Sequence, residues 1–134
     1  MEVYKSKYLH LAFFAEQELI EMTWLPSTDT MTEEEYKQEC LNLLEIIFKF
    51  SPKRIIPDSK NMFFLVTIEL QEWTNEQLFA PALKMGLNKV AVVANAEMIQ
   101  QLSIEQLMEE PTATNFITRY FDSKEKAKTW ILSV

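Results

Sequence analysis

An apolar run at residues 87–94 constrains the fold of this chain more than any other feature. The run, LNKVAVVA, opens directly after Gly86, the only glycine among 134 residues. A strand with one face in water alternates apolar and polar side chains, whereas positions 90–94 are apolar without interruption. The run therefore predicts a parallel strand that is buried on both faces, with other elements packed against each face of its sheet.

Four further segments have strand-like patterns. Residues 8–14 and 19–25 alternate in side-chain character and are joined by a short polar connection, which predicts an antiparallel hairpin. Residues 54–57 and 115–121 lie on either side of the central run, and a helical pattern separates each strand from the next. Because such alternation favours right-handed crossovers, these later strands are predicted to pair in parallel.

The clearest helix signal begins at Thr32. Its hydroxyl can accept the backbone N–H of Glu35, whose side chain can reach back, and the three glutamates at 33–35 suit the positive end of the helix dipole. Apolar residues then recur at helical spacing until Ser51 and Pro52 end the pattern. The predicted apolar stripe consists of Tyr36, Cys40, Leu43, Leu44, Ile47 and Phe48.

Later helices are predicted at 67–85, 95–110 and 122–131. The first is predicted to break at 73–76, where the sequence offers a fresh cap, and the second contains another capping box between Ser103 and Gln106. The predicted fold class is α/β: one domain over residues 1–134, with an antiparallel N-terminal hairpin, then parallel strands, and about four helices packed on the mixed sheet.

Charge and hydropathy exclude two classes of partner. With 20 acidic and 13 basic residues the net charge is -7, which disfavours nucleic acid and anionic membranes, since both are bound through Lys and Arg. No apolar run approaches the roughly 20 residues that cross a bilayer, so membrane insertion is not expected. The N-terminus has no apolar signal core, and a cytoplasmic location is expected.

The scarcity of cysteine, histidine and glycine excludes several kinds of chemistry. A single cysteine, Cys40, and a single histidine, His10, permit no internal disulfide and no zinc site of the Cys/His type. Both are expected to be packing residues. One glycine cannot form the dinucleotide fingerprint or a phosphate loop, which need several. We therefore expect no metal and no cofactor.

Several segments together resemble the SpoIIAA-like branch of the STAS superfamily. The matching features are the hairpin ending MTW at 22–24, the capped helix at 32–50, the strand ending in Pro57-Asp58, the segment LKMGLNKVAVV at 83–93, and RYFDSKEKAKTWI at 119–131. The resemblance covers nearly the whole chain. It implies a STAS fold, a sheet architecture that also occurs in CRAL-TRIO lipid-binding domains.

The resemblance also implies a possible switch, because the superfamily includes anti-sigma-factor antagonists that are phosphorylated on a serine at a helix start. Those proteins carry Asp-Ser-Ser-Gly at this place, whereas the corresponding stretch here is Leu-Val-Thr-Ile at 65–68. Only Thr67 offers a hydroxyl, and the signature is absent. Thr67 is therefore predicted to be a plain N-cap, and Ser59 to belong to a turn.

The predicted function is that of a non-catalytic STAS-like module that binds a partner and has a regulatory role. The alternative is binding of a small apolar ligand or lipid. In open sheets with parallel strands, ligands lie beyond the carboxyl ends of the strands. The residues that the predicted topology brings there are Asp58, Ser59, Lys60, Asn61, Thr67 and Asn95.

An apolar segment at 62–66 would border that place. It could form an interface with a protein partner or a second copy of the chain through Met62, Phe63, Phe64 and Leu65. The competing expectation is that Phe63, Phe64 and Leu65 bury against the sheet. Catalysis is a third option, with Asp58, Lys60 or Glu72 as acid or base, but no spacing singles out a pair, and no catalytic residue is predicted.

Overall fold

The computed structural model describes residues 1–100 and 117–133. In this part of the chain six strands form one sheet in which they lie side by side in chain order. They are β1 (Glu2–Lys5), β2 (Leu9–Phe14), β3 (Leu19–Trp24), β4 (Arg54–Asp58), β5 (Lys89–Val93) and β6 (Ile117–Phe121). Pairing is antiparallel from β1 to β3 and parallel from β3 to β6, which confirms the predicted hairpin of β2 and β3 and the predicted parallel strands.

The described helices are α1 (Glu33–Phe50), α2 (Ile68–Thr74), α3 (Ala80–Lys84), α4 (Ala96–Gln100) and α5 (Lys124–Ile131). A π-helical turn, Asn75–Phe79, joins α2 to α3 without leaving helical backbone geometry, so the described helices form four continuous rods. This number agrees with the prediction. The predicted capping box at Ser103 and Gln106 and the first residues of the predicted strand at 115–121 lie outside the described residues.

Two apolar cores lie on opposite faces of the sheet. The larger core packs α1, α2, the π turn and α3 against one set of strand residues, including Leu11, Ile20 and Ile55. The smaller core packs α5 against the alternate set, including Leu19 and Ile56. Because adjacent strand residues point to opposite faces, Ile55 and Ile56 serve different cores. β5 supplies buried residues to both cores, which confirms that it is a doubly covered strand.

Most local signals hold in the structure. The capping box of Thr32 and Glu35 is present, with both backbone-to-side-chain bonds formed. Helix α1 ends at Phe50, where Ser51 adopts a left-handed conformation. The predicted apolar stripe is wrong at one position, since Phe48 is 48% exposed. Cys40 on the same stripe is buried, as expected.

The α-helix does end at Thr74, within the predicted break at 73–76, but the predicted new cap there is wrong. Thr74 has helical backbone angles and its hydroxyl donates to the carbonyl of Leu70, so it does not cap a new helix. The backbone instead widens into the π turn, in which Ala80 N–H donates to Asn75 O. Pro81 follows directly and has no N–H for the helical ladder, which gives a physical reason for the irregular turn.

Strand β1 was not predicted. It pairs with β2 at the edge of the sheet, and an irregular register occurs between Glu2 and Tyr4. Only Val3 and Tyr4 of its residues are partly buried. A side-chain cluster centred on the buried Glu39 of α1 holds it: the carboxylate accepts bonds from the Tyr4 hydroxyl at 2.5 Å and from Ser6 Oγ. These contacts span more than thirty residues of sequence, so local pattern does not reveal them.

Glu21 of β3 forms ion pairs that hold α5 against the face of the sheet that carries the smaller core. Its carboxylate lies 3.1 Å from Lys124 Nζ and 3.0 Å from Lys128 Nζ. Burial alone raises the pKa of Glu21, but hydrogen bonds and charges from the two lysines outweigh it and hold that pKa below its ordinary value. Because the folded pKa is lowered, the stabilisation is present at neutral pH and is lost as the pH falls through that pKa.

Candidate functional site

A cavity of about 550 Å³ lies between the sheet and the helices on the face of the sheet that carries the larger core, called the larger face below. Met22, Ile55 and Val90 form part of its floor, and Leu78 of the π turn lines the helical side. The volume falls within the range of about 300–1,000 Å³ that is typical of small-molecule sites. Since Pro57 near the end of β4 also lines it, the cavity reaches the carboxyl ends of the parallel strands.

One end of the cavity carries a pair of hydroxyl groups. The Tyr36 hydroxyl of α1 and Thr74 Oγ1 of α2 lie 2.9 Å apart and are buried. The Tyr36 ring stacks on Trp24, with centroids 5.9 Å apart, and on Phe64, at 5.2 Å. Burial raises the pKa of Tyr36, so the phenol is neutral at physiological pH. Aromatic packing and a buried hydrogen bond therefore fix this polar end.

Cys40 lies one helical turn after Tyr36 and lines the same cavity. It is 2% exposed, and burial raises the pKa of its thiol to about 12. The thiolate is the nucleophilic form of cysteine, and at neutral pH this thiol stays protonated. Cys40 is therefore part of the cavity wall and is not an activated nucleophile.

The cavity wall carries no charge within the described part of the chain. Its polar lining side chains there are neutral: Tyr36, Cys40, Ser59, Gln71, Thr74, Asn75, Thr118 and Tyr120. A second hollow of about 650 Å³ adjoins it and is lined by residues 62–66, again with no described charged residue. A wall that combines apolar side chains with uncharged hydroxyls and amides suits a mainly apolar ligand with a small polar group.

Three of the predicted site residues lie together where β4 ends. Asp58 is the last residue of β4, and its Oδ1 accepts the backbone N–H of Lys60 at 3.2 Å. The backbone N–H of Ser59 donates to Val93 O at 2.7 Å and joins the ends of β4 and β5. Met62 N–H donates to Ser59 O at 3.2 Å and closes a turn directly after β4, which confirms the prediction that Ser59 belongs to a turn. Of the three, only Ser59 lines the cavity.

The other three predicted residues make local bonds. Thr67 Oγ1 accepts the backbone N–H of Leu70 at 3.2 Å and caps α2, and Asn95 Oδ1 accepts that of Met98 at 2.8 Å and caps α4. Asn61 is exposed, and its backbone carbonyl accepts a hydrogen bond from Thr28 Oγ1 at 3.2 Å. None of these three lines either hollow. Their role in binding a ligand or partner stays a prediction.

The segment at 62–66 is half in contact with the core and half in water. Met62, Phe64 and Val66 pack against the larger core, whereas Phe63 is 57% exposed and Leu65 is 80% exposed. The expectation that Phe63 and Leu65 bury against the sheet is therefore wrong. The buried Thr28 hydroxyl, which accepts the N–H of Phe63 at 2.9 Å, fixes the start of the segment.

Sequence reasoning missed the polar end of the cavity. Tyr36 and Cys40 were placed on the apolar stripe of α1, and Thr74 was interpreted as a cap. A signal was available in that stripe, because a tyrosine and a cysteine four positions apart interrupt an otherwise aliphatic face. The contact of Tyr36 with Thr74 spans 38 positions and needs the tertiary structure.

The fold and the site together define a class of protein. A mixed sheet with antiparallel N-terminal strands, then parallel strands, and with helices on both faces fits a STAS-like α/β domain. The sequence model of the SpoIIAA-like family matches residues 11–132, and the chain therefore belongs to the SpoIIAA-like family. Comparison with curated proteins gave no match, and comparison with solved structures gave none either.

Family membership indicates a STAS-like regulatory or protein-interaction module, and this family is generally non-enzymatic. Across residues 1–100 and 117–133, no three His, Cys, Asp or Glu side chains converge as metal ligands would. No helix in the same ranges combines the length and the hydropathy needed to cross a bilayer.

Proposed function

We propose that this protein is a non-catalytic binding module whose cavity takes a small apolar ligand. The observation that carries the proposal is the hollow of about 550 Å³ on the larger face, with apolar residues of β3, β4 and β5 in its wall. Transfer of apolar ligand surface from water into such a wall is favourable by roughly 25 cal/mol per Å². The inert Cys40 thiol and the uncharged described lining support binding without chemistry.

We expect a neutral apolar dye to bind in the cavity and to be displaced by a bulky side chain introduced there. Thr118 of β6 is half-buried and lines the cavity. In Thr118→Trp the indole ring occupies ligand space, and the affinity for N-phenyl-1-naphthylamine should fall by at least about tenfold. The measurement is a fluorescence titration of the native protein and the variant.

Thr129→Trp is the matched control, because Thr129 is exposed on α5 at the opposite face of the sheet. It should bind the dye as the native protein does. Thermal melts of both variants establish that each is folded at the temperature of the titration. Equal dye affinity in Thr118→Trp and Thr129→Trp would contradict binding in the cavity.

A second candidate function is self-association through the exposed side chains of the apolar segment at 62–66 and of the nearby Ile68 at the start of α2. Phe63, Leu65 and Ile68 are 57%, 80% and 77% exposed and follow one another closely along the chain. Clustered exposure of large apolar side chains is typical of protein interfaces. This surface supports the predicted contact with a second copy of the chain.

The double variant Phe63→Ser/Leu65→Ser is expected to weaken such a dimer. Loss of two apolar anchors should raise the dissociation constant by at least about tenfold, measured by sedimentation equilibrium over a concentration series. Phe48→Ser is the control, since Phe48 is 48% exposed on α1, outside the segment. A native chain that stays monomeric at every concentration would exclude the dimer.

A further inference from the structure

The hydrogen atoms at the polar end of the cavity can be assigned. Thr74 Oγ1 donates to the carbonyl oxygen of Leu70 at 2.8 Å, which uses the single hydrogen of that hydroxyl. In the contact between Thr74 Oγ1 and the Tyr36 hydroxyl, the phenol must then be the donor. Both hydrogens therefore point to protein acceptors, and the Tyr36 oxygen keeps lone pairs that can accept.

The neighbours of the Tyr36 oxygen do not exhaust this accepting capacity. The Cys40 thiol interacts with it, but a thiol is a weak donor. The Tyr36–Thr74 pair thus accepts a hydrogen bond and offers none, unlike the amide side chains of Gln71 and Asn75 in the same wall. A ligand group that can only accept would place lone pairs against lone pairs.

The electrostatics of the wall restrict the ligand further. Within the described residues that line the cavity there is no Lys or Arg to pair with an anion and no Asp or Glu to pair with a cation. Transfer of an unpaired charge from water into an apolar cavity is strongly unfavourable. Ionised carboxylates and amines are disfavoured on this ground.

From these observations we infer that the cavity selects a neutral ligand whose polar head donates a hydrogen bond to the Tyr36 hydroxyl oxygen. Aliphatic alcohols and primary or secondary amides have this chemistry, whereas ethers and ionised fatty acids do not. The inference rests on the proposed function, since it assigns the class of ligand that the same cavity takes. It makes Tyr36 the residue that determines specificity.

The test compares three probes that share an eight-carbon chain by isothermal titration calorimetry at neutral pH. 1-Octanol can donate, 1-methoxyoctane can only accept, and octanoate is an anion. 1-Octanol should bind about fivefold to tenfold more tightly than 1-methoxyoctane, the equivalent of one net hydrogen bond, and at least about tenfold more tightly than octanoate. If 1-methoxyoctane or octanoate binds as tightly as 1-octanol, the inference is wrong while the proposed function stands. Absence of binding by all three overturns both.

Tyr36→Phe tests the assignment to this hydroxyl, because it keeps the aromatic ring and removes the acceptor. The preference for 1-octanol over 1-methoxyoctane should disappear. Tyr8→Phe is the matched control: it also loses one phenol, whose partner Glu35 Oε2 lies 2.7 Å away, and Tyr8 does not line the cavity. It should keep the preference. If Tyr36→Phe keeps it as well, the assignment to Tyr36 is wrong.

Discussion

Replacement of Ile131 by alanine is expected to lower the free energy of unfolding by about 2–5 kcal/mol. Ile131 lies on α5 and is 0% exposed in the smaller core, where it packs with Leu19, Ile56 and Ala127. In the described structure α5 is the helix that covers this face of the sheet. Truncation removes apolar contact and leaves a space that the rigid sheet cannot close, so the cost includes a cavity.

Urea unfolding followed by circular dichroism measures this loss as a lower midpoint at an unchanged slope. Leu132→Ala is the control, because the neighbouring Leu132 is 36% exposed at the helix end. Its replacement should cost less than about 1 kcal/mol. Comparable losses of unfolding free energy in the two variants would show that the effect of Ile131→Ala does not come from its burial against the sheet.

Glu39→Ala is the second change with a large expected effect, a loss of about 2–3 kcal/mol. Glu39 is 5% exposed and accepts from the Tyr4 hydroxyl, from Ser6 Oγ and from Asn42 Nδ2, the last at 3.2 Å. Alanine removes the acceptor from all three donors at once. Partly buried donors without a partner cost more than the net value of the bonds they lose.

Glu45→Ala provides the control, since Glu45 is exposed on the same helix and its loss should change stability by less than about 0.5 kcal/mol. Hydrogen exchange adds a local readout. Amides of β1 should exchange faster in Glu39→Ala, because this cluster attaches the edge strand to α1. Unchanged β1 protection together with unchanged stability would refute the role given to Glu39.

The sequence predicted much of the fold because many of its signals are local. The uninterrupted apolar residues at 90–94 predicted a doubly covered strand, and the structure places β5 there with buried residues in both cores. Thr32 and Thr67 were predicted as caps, and each accepts a backbone N–H in the first turn of its helix. A cap needs only three or four consecutive residues, so a local sequence pattern can reveal it.

The features that escaped prediction depend on distant residues. Strand β1 is short and only partly buried, and its attachment comes from Glu39. Thr74 looked like a cap because its type favours that role, yet its hydroxyl bonds to Leu70 O and Tyr36. The capping propensity of threonine was outweighed here by contacts that form only after α1 and α2 have packed.

The candidate site was predictable in position and not in composition. The carboxyl ends of the parallel strands were expected to bear it, and the cavity does reach Pro57 and Ser59 there. The polar residues chosen from the sequence, such as Asp58 and Asn95, use their side chains in a turn and a cap. A cavity is space that packed side chains leave unfilled, and no sequence pattern marks such a space.

The chain-order arrangement of the sheet has a consequence for the folding pathway. Each described strand pairs with the strand before it in the chain, so no pairing has to wait for a segment from the far end. The entropy lost on closing each loop is correspondingly modest, because it grows only slowly with the length of the loop. The exception is α5, which follows every strand and yet packs against β3, β4 and β5. During synthesis on the ribosome, the face of the nascent sheet that carries the smaller core therefore stays exposed to solvent until α5 emerges.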